Sequence, residues 1–87
     1  MNHTEKKTLQ DLKPLESAEV ESFAGSPDMI ARLRELGIRQ GLQVSLIGQA
    51  PFWGPKLFRA GLTVLALRQE EASCVFIQSL KTDRRRN

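Results

Sequence analysis

The segment 31–51 constrains the fold most, because its apolar residues change from helical to strand-like spacing within 21 residues. Before Gly37 the apolar side chains recur every three or four residues, at Met29, Leu33 and Leu36. After a turn at 39–41 they alternate with polar side chains, at Leu42, Val44 and Leu46. The segment therefore predicts a one-sided helix, a stop at the glycine, and a half-buried strand.

The start of this helix is marked by three adjacent residues that suit a helix N-terminus. The Ser26 hydroxyl can cap the first turn, Pro27 fits the first helical position, and Asp28 lies near the positive end of the helix dipole. Gly37 can adopt the left-handed conformation that ends a helix at little steric cost. We therefore predict an α-helix over about residues 27–36.

Four further segments have the composition of strands, and the turns between them are short. They are 18–23, 56–60, 62–67 and 73–79. The first is short, which favours a place near a sheet edge, whereas 62–67 is apolar on both faces, which favours the core. Residues 69–72 are mostly polar and predict a turn. Five short strands and one helix indicate a mainly β fold, a small antiparallel barrel with the helix at one end.

The charges divide the chain into a neutral body and a basic end. The length of 87 residues fits one small domain, and residues 1–80 carry nine positive and nine negative charges. The formal charge of +3 therefore comes from 81–87. We expect a flexible N-terminus over 1–8, a folded domain over 9–80 and a disordered basic tail over 81–87.

The chain lacks the side-chain sets that catalysis or metal binding needs. His3 and Cys74 are its one histidine and one cysteine, and they are expected in a frayed terminus and a core strand. No glycine-rich phosphate loop or Ser/His/Asp set is present. We expect no enzyme activity, no cofactor and no metal.

No segment has the pattern of a membrane span or a secretion signal. No apolar run approaches the ~20 residues that cross a bilayer, and the first ten residues lack an apolar signal core. The expectation is a cytoplasmic protein without membrane insertion.

Six short motifs occur in an ordered series across the chain. They are Arg32-Leu33, Leu36-Gly37, Gln40-Gly41, Ala50-Pro51, Leu67-Arg68 and Glu71-Ala72. In this order and spacing they resemble the FeoA family, small cytoplasmic partners of the bacterial ferrous iron transporter FeoB. The resemblance covers about residues 9–78. It implies an SH3-like barrel and a non-enzymatic role in Fe(II) uptake, through contact with the cytoplasmic GTP-binding part of the transporter.

The chain departs from the family pattern at three places. The family often has a Leu-Gly-Asp-Pro-like sequence after Ala-Pro, whereas here Phe52, Trp53 and Gly54 precede Pro55. The family also commonly has glycine where Leu15 stands, and it usually lacks a tail like 84–86. The missing acidic residue removes any role that a carboxylate has in this loop.

Partner contact is predicted at the two borders of the helix-to-strand segment. The candidate residues are Leu36, Gly37, Ile38 and Arg39 at the helix end, and Pro51, Phe52, Trp53 and Lys56 at the aromatic loop. Exposed aromatic side chains dominate many protein interfaces, although one of them could instead cover the barrel mouth. Arg32, Arg39, Lys56 and Arg59 form a possible positive rim. Arg39 is also the first candidate for an arginine finger acting on a partner GTPase.

Two further hypotheses come from different classes of protein. The chain could be a free-standing relative of the SH3-like domain of iron-dependent repressors, acting through a regulator or DNA. It has no helix-turn-helix, and three tail arginines give no sequence readout, so specific nucleic-acid binding is not expected. Weak self-association through an exposed barrel edge is the other hypothesis.

Overall fold

The computed structural model describes residues 7–79 and contains six strands and two helices in that range. The strands are β1 (Lys7–Thr8), β2 (Ser17–Phe23), β3 (Gln43–Gln49), β4 (Lys56–Ala60), β5 (Thr63–Leu67) and β6 (Val75–Ser79). The helices are α1 (Pro27–Glu35) and the single turn α2 (Gln69–Ala72), and a 3-10 turn spans Leu9–Asp11. The prediction of a mainly β, antiparallel fold with one main helix is confirmed.

Helix α1 begins and ends where the sequence signals place it. The Ser26 hydroxyl accepts a hydrogen bond from the Met29 N–H at 3.1 Å, which caps the first turn. Gly37 follows the last turn with a φ of +99°, a conformation that costs a residue without Cβ little. On the inner face Leu33 is fully buried, so the helix is anchored to the core through one side only.

The sheet order is β1-β6-β2-β3-β4-β5, with every neighbouring pair antiparallel. The prediction that the strand at 18–23 lies near an edge was therefore wrong, because β2 is central and pairs with both β6 and β3. The prediction that the strand at 62–67 lies in the core was also wrong. In β5 Val64 is half exposed and only Leu67 is fully buried, because β5 is an edge strand whose outer face no other described element covers.

The described part of the chain contains a strand before residue 9. Lys7 and Thr8 pair with Ile77 and Phe76 of β6, which adds a sixth strand to the predicted five. Short polar strands of this kind carry no alternating apolar pattern, so the sequence gives no signal for them. The remaining predictions for 1–6 and for the basic tail fall outside the described residues.

Residues 69–72 form the helical turn α2 instead of the predicted plain turn. The Glu71 carboxylate accepts a hydrogen bond from the Arg68 backbone N–H at 2.8 Å, in the pattern of a capping box. This bond satisfies a donor that a helix N-terminus otherwise leaves free. A side chain within the turn therefore converts it into a short helix.

The sheet curls around a single core. Its buried apolar residues form one cluster, to which Phe58 and Leu9 contribute the largest fully buried side chains. The 3-10 turn after β1 contacts α2 after β5, which partly closes the sheet, although the edge strands β1 and β5 are not paired with each other. Lys56 strengthens this closure, since its Nζ donates to the Gln10 carbonyl at 2.9 Å.

Candidate functional site

The loop after β3 is a tight turn that holds two aromatic side chains in solvent. The Gly54 N–H donates to the Pro51 carbonyl at 3.2 Å, and the two residues between them have φ values of +60° at Phe52 and +59° at Trp53. Positive φ at both central positions characterises the mirror-image turns of hairpins. The side chains of Phe52 and Trp53 are 89% and 80% exposed. We call Pro51–Gly54 the aromatic turn.

The aromatic turn is conformationally costly for the residues it contains. Asn-Gly is the usual sequence of such turns, whereas a bulky side chain in the left-handed region costs about 1–2 kcal/mol per residue. Neither Phe52 nor Trp53 offsets this cost by burial. Backbone strain at exposed residues is a feature of functional sites. Position 54 requires glycine because of close packing, since a Cβ there would lie 2.8 Å from the Ala50 Cβ.

The helix end divides into buried and exposed residues. Ile38 is 1% exposed and belongs to the core, so it presents almost no surface through which a partner could be contacted. Leu36 is half-buried and packs against the same core. Gly37 and Arg39 are exposed, and Arg39 lines a surface groove of about 430 Å³.

This groove lies between the end of β2, the helix α1 and the turn at 39–40. The other lining residues are Glu21, Ser22, Phe23, Ile30, Arg34 and Gln40. The Arg34 guanidinium carbon is 5.7 Å from the centroid of the Phe23 ring, within the range of a cation–π contact. We call it the arginine groove; it combines two guanidinium groups and the Glu21 carboxylate with apolar surface.

Sequence reasoning missed most of this groove. Ile30 and Arg34 lie four positions apart on α1 and so share one helix face, which the sequence spacing alone indicates. Phe23 joins them only because β2 ends beside the helix, and no local pattern in the sequence indicates that.

The aromatic turn and the arginine groove are separate surfaces. The turn at 39–42 precedes β3 and the aromatic turn follows it, so a seven-residue strand, roughly 20 Å long, separates them. The two groups of predicted site residues therefore lie at opposite ends of β3.

The predicted positive rim is partly neutralised. Lys56 is half-buried, and its Nζ donates a hydrogen bond to the Gln10 carbonyl. Arg32 donates from Nε to the Glu71 carboxylate, whose side chain is only 7% exposed. Burial alone would raise the pKa of Glu71, but the Arg68 N–H and the Arg32 guanidinium outweigh it and hold the pKa below its usual value. Arg39 and Arg59 remain exposed.

The described residues offer no set of metal ligands. Between Lys7 and Ser79, no three histidine, cysteine, aspartate or glutamate side chains lie close enough to hold an ion. Cys74 is half-buried beside the core, just before β6, while His3 lies outside this range. Within the same range no helix is long and apolar enough to cross a membrane.

Comparison with known proteins identifies the family of this chain. A model of the FeoA domain matches residues 7–79. FeoA from Stenotrophomonas maltophilia, a structure complexed with zinc and described as an SH3 domain protein, is 36% identical, with a TM-score of 0.70 over 83% of this chain and 89% of that one. FeoA from Chlorobium tepidum is 29% identical, with a TM-score of 0.78 over 90% and 74% of the two chains.

A different class of protein shares the fold. A manganese-dependent transcriptional repressor gives a TM-score of 0.78 at 15% identity, over 92% of this chain and 45% of the repressor. A comparison with curated protein sequences gave no match. Because the family model matches most of the chain and the S. maltophilia protein is 36% identical, this chain belongs to the FeoA family.

Proposed function

We propose that this protein is a cytoplasmic accessory factor of ferrous iron uptake that binds the cytoplasmic GTPase part of a FeoB-type transporter and supports its activity. The observation that carries the proposal is the FeoA match over residues 7–79. The S. maltophilia relative is described as possibly a ferrous iron transport activating factor, which agrees with this role.

The arginine groove supplies a surface suited to such a partner. Arg34 and Arg39 place positive charge beside the apolar side chains of Phe23 and Ile30. A partner surface that presents a carboxylate next to an apolar side chain would satisfy both features, since charge complementarity guides encounter and apolar burial holds the complex. The aromatic turn is a second contact surface, at the far end of β3.

A binding measurement with the soluble GTPase part of the transporter tests the proposal. Arg39→Glu reverses the charge in the groove and should weaken binding at least tenfold, on the order of the effect of losing an interfacial charge. Arg59→Glu is the matched control, because Arg59 is also exposed but lies on β4 outside the groove. Equal losses in both variants would contradict the assignment of the groove.

The physiological test is Fe(II) uptake in a strain that lacks this protein. Uptake should fall and should be restored by the unmodified chain and by R59E, but less well by R39E. Normal uptake in the deletion strain would contradict the proposed function as a whole.

The repressor-like fold supports a second candidate function, a free-standing domain that acts through a regulator or DNA. The likeness at 15% identity concerns the fold only. A gel-shift assay separates the two functions, since DNA binding driven by the basic tail should fade at ~150 mM salt as counterions compete. Sequence-specific binding that persists at this salt concentration would favour the second candidate.

A further inference from the structure

Strand β5 has one side of its backbone that no strand among residues 7–79 pairs with. It lies at the end of the sheet order and pairs with β4 alone. The hairpin closes between Ala60 and Thr63 over two residues, and Gly61 has a φ of +64°, as the first central residue of a type II′ turn does. Opposite residues of an antiparallel pair alternate between exchanging both backbone bonds and exchanging none. Since Ala60 and Thr63 form the bonded pair that closes the turn, the N–H and C=O groups of Val64 and Ala66 point away from β4.

The outer face beside this free backbone is apolar apart from one arginine. Val64 is 49% exposed and lies directly opposite Arg59 of β4, while the exposed Ala66 lies opposite Leu57. On the other side Arg59 is opposite Ser45 of β3. Within residues 7–79 Arg59 forms no ion pair. We call β5 together with Leu57 and Arg59 the β5 edge; it combines free backbone groups, an apolar strip and an exposed guanidinium.

The charges of the chain are segregated in a way that leaves this half of the sheet without acidic residues. Residues 36–69, which include β3, β4 and β5, contain no aspartate or glutamate. The same stretch carries four basic residues, Arg39, Lys56, Arg59 and Arg68. Neither strand beside Arg59 therefore supplies a carboxylate, and the surface attracts a partner that does.

We propose that the β5 edge binds an extended acidic segment of a partner protein, which adds to the sheet as a further strand. In this mode of recognition the main-chain hydrogen bonds provide affinity and alternate side chains provide specificity. The added strand would lie about 4.8 Å from β5 and roughly 10 Å from β4. A glutamate placed opposite Val64 would reach across that side chain to the Arg59 guanidinium, since long side chains interact beyond the directly opposite pair.

Charge and backbone pattern together favour this occupant over a second copy or a nucleic acid. A second copy paired through β5 would bring another uncharged strand and another Arg59, but no carboxylate. A nucleic acid would supply anionic groups, but it lacks the alternating N–H and C=O groups that pair with a strand edge. The inference goes beyond the proposed function and can hold without it, because the transporter contact is assigned to the arginine groove.

A labelled peptide and the full chain test this contact by fluorescence anisotropy. The probe is a capped peptide of about seven residues, slightly longer than β5, in which valine and glutamate alternate. The matched control peptide has lysine in place of each glutamate. It should bind at least about tenfold more weakly, because lysine repels Arg59 where glutamate attracts it. Binding of the glutamate peptide should also weaken as the salt concentration rises.

Methylation of the peptide backbone distinguishes strand addition from attraction by charge alone. In an added strand the N–H groups of alternate residues face β5, and the others face solvent. Two versions of the glutamate peptide, N-methylated on the valines or on the glutamates, should therefore differ. One should bind at least about tenfold more weakly than the unmodified peptide, and the other should bind within about twofold of it. Equal affinities would contradict the addition of a strand.

Variants of the chain locate the contact. Ala66→Pro removes an outward N–H that β4 does not use, which an edge strand tolerates, and it should weaken binding of the glutamate peptide about tenfold. Ala66→Val is the control, because it changes the side chain but keeps the N–H. Arg59→Glu should weaken binding at least about tenfold, whereas Arg39→Glu, in the arginine groove, should change it less than about twofold. The same two arginine variants have the opposite order of effect on the soluble GTPase part of the transporter, so failure of one proposal does not imply failure of the other.

Four outcomes would overturn the inference. One is a glutamate peptide that binds no more tightly than the lysine peptide. Another is an A66P variant that folds, as circular dichroism shows, and binds the peptide like the unmodified chain. The third is an oligothymidylate that binds more tightly than the peptide and depends on Arg59 but not on the Ala66 N–H, which would assign the edge to a nucleic acid. The fourth is a doubled mass in light scattering that the glutamate peptide does not reduce, which would assign the edge to a second copy.

Discussion

Arg32 donates from Nε to Oε2 of Glu71 at 2.5 Å and so joins α1 to α2 across 39 residues of chain. The same carboxylate accepts the Arg68 N–H through its other oxygen. Arg32 and Glu71 belong to motifs at opposite ends of the series that resembles the FeoA family. In this chain the pair therefore joins the first and the last of those motifs: one supplies the guanidinium and the other supplies the buried carboxylate that caps a helical turn.

Removal of this carboxylate should destabilise the fold. Glu71→Ala loses both the cap of α2 and the ion pair, and we expect the free energy of unfolding to fall by about 1–3 kcal/mol. Urea denaturation measures the change. Glu70→Ala is the matched control, because Glu70 is exposed in the same turn, and it should change the free energy by less than about 0.5 kcal/mol. Equal effects at both positions would show that α2 depends on helix propensity alone.

The same interaction predicts a pH dependence of stability. The pKa of Glu71 is lower in the folded state than the ordinary value of 4.5, so the folded protein binds fewer protons in this range than the unfolded chain. Its contribution is therefore fully present above about pH 5 and is lost as the pH falls through the folded-state pKa. Urea denaturation at a series of pH values should show this loss, and Glu71→Gln should flatten it. An unchanged slope in E71Q would assign the acid sensitivity to other carboxylates.

Strain at Leu15 predicts a stabilising substitution. Leu15 has a φ of +69° and an exposed side chain, so Leu15→Gly relieves left-handed strain without losing packing. Relief of about 1–2 kcal/mol exceeds the backbone entropy cost of about 0.5–1 kcal/mol, which leaves a net gain of up to about 1 kcal/mol. Leu62→Gly is the control, since Leu62 is exposed without a positive φ and should lose stability. Thermal unfolding that shows a loss in both variants would contradict the strain argument.

The sequence predicted the elements better than their places in the sheet. The helix at 27–36 and the strand after it were predictable because their signals are local: a cap, a period and a stop. The position of β5 could not be predicted, because an apolar strand has the same sequence pattern whether or not neighbouring elements cover its faces. The arginine groove could not be predicted from the sequence either, because Phe23 and Arg34 come together only when α1 packs beside β2. The exposed aromatic turn was predictable as a loop, but its strained φ values were not.

The exposed edge of β5 should support weak self-association. Its sequence Thr63–Leu67 carries no charge, and edges of this kind pair with other chains unless they are protected. Val64→Glu should abolish any concentration-dependent increase in mass seen by light scattering, while the fold is preserved because position 64 faces Arg59 across the strand pair. Ser45→Glu is the control: it faces the same arginine from the central strand β3 and should not change the association. Association that survives V64E would place the contact elsewhere.

The aromatic turn predicts a trade-off between stability and activity. Trp53→Gly places the residue without Cβ at a φ of +59° and removes an exposed ring, so the fold should become more stable by up to about 1 kcal/mol. If the ring is retained for contact, the same variant should support Fe(II) uptake less well in the deletion strain. Unfolding in urea and uptake are measured on the same variant, with Leu15→Gly as the comparison that relieves strain but leaves both aromatic rings in place. A W53G variant that is more stable and fully active would show that the Trp53 side chain has no role in Fe(II) uptake.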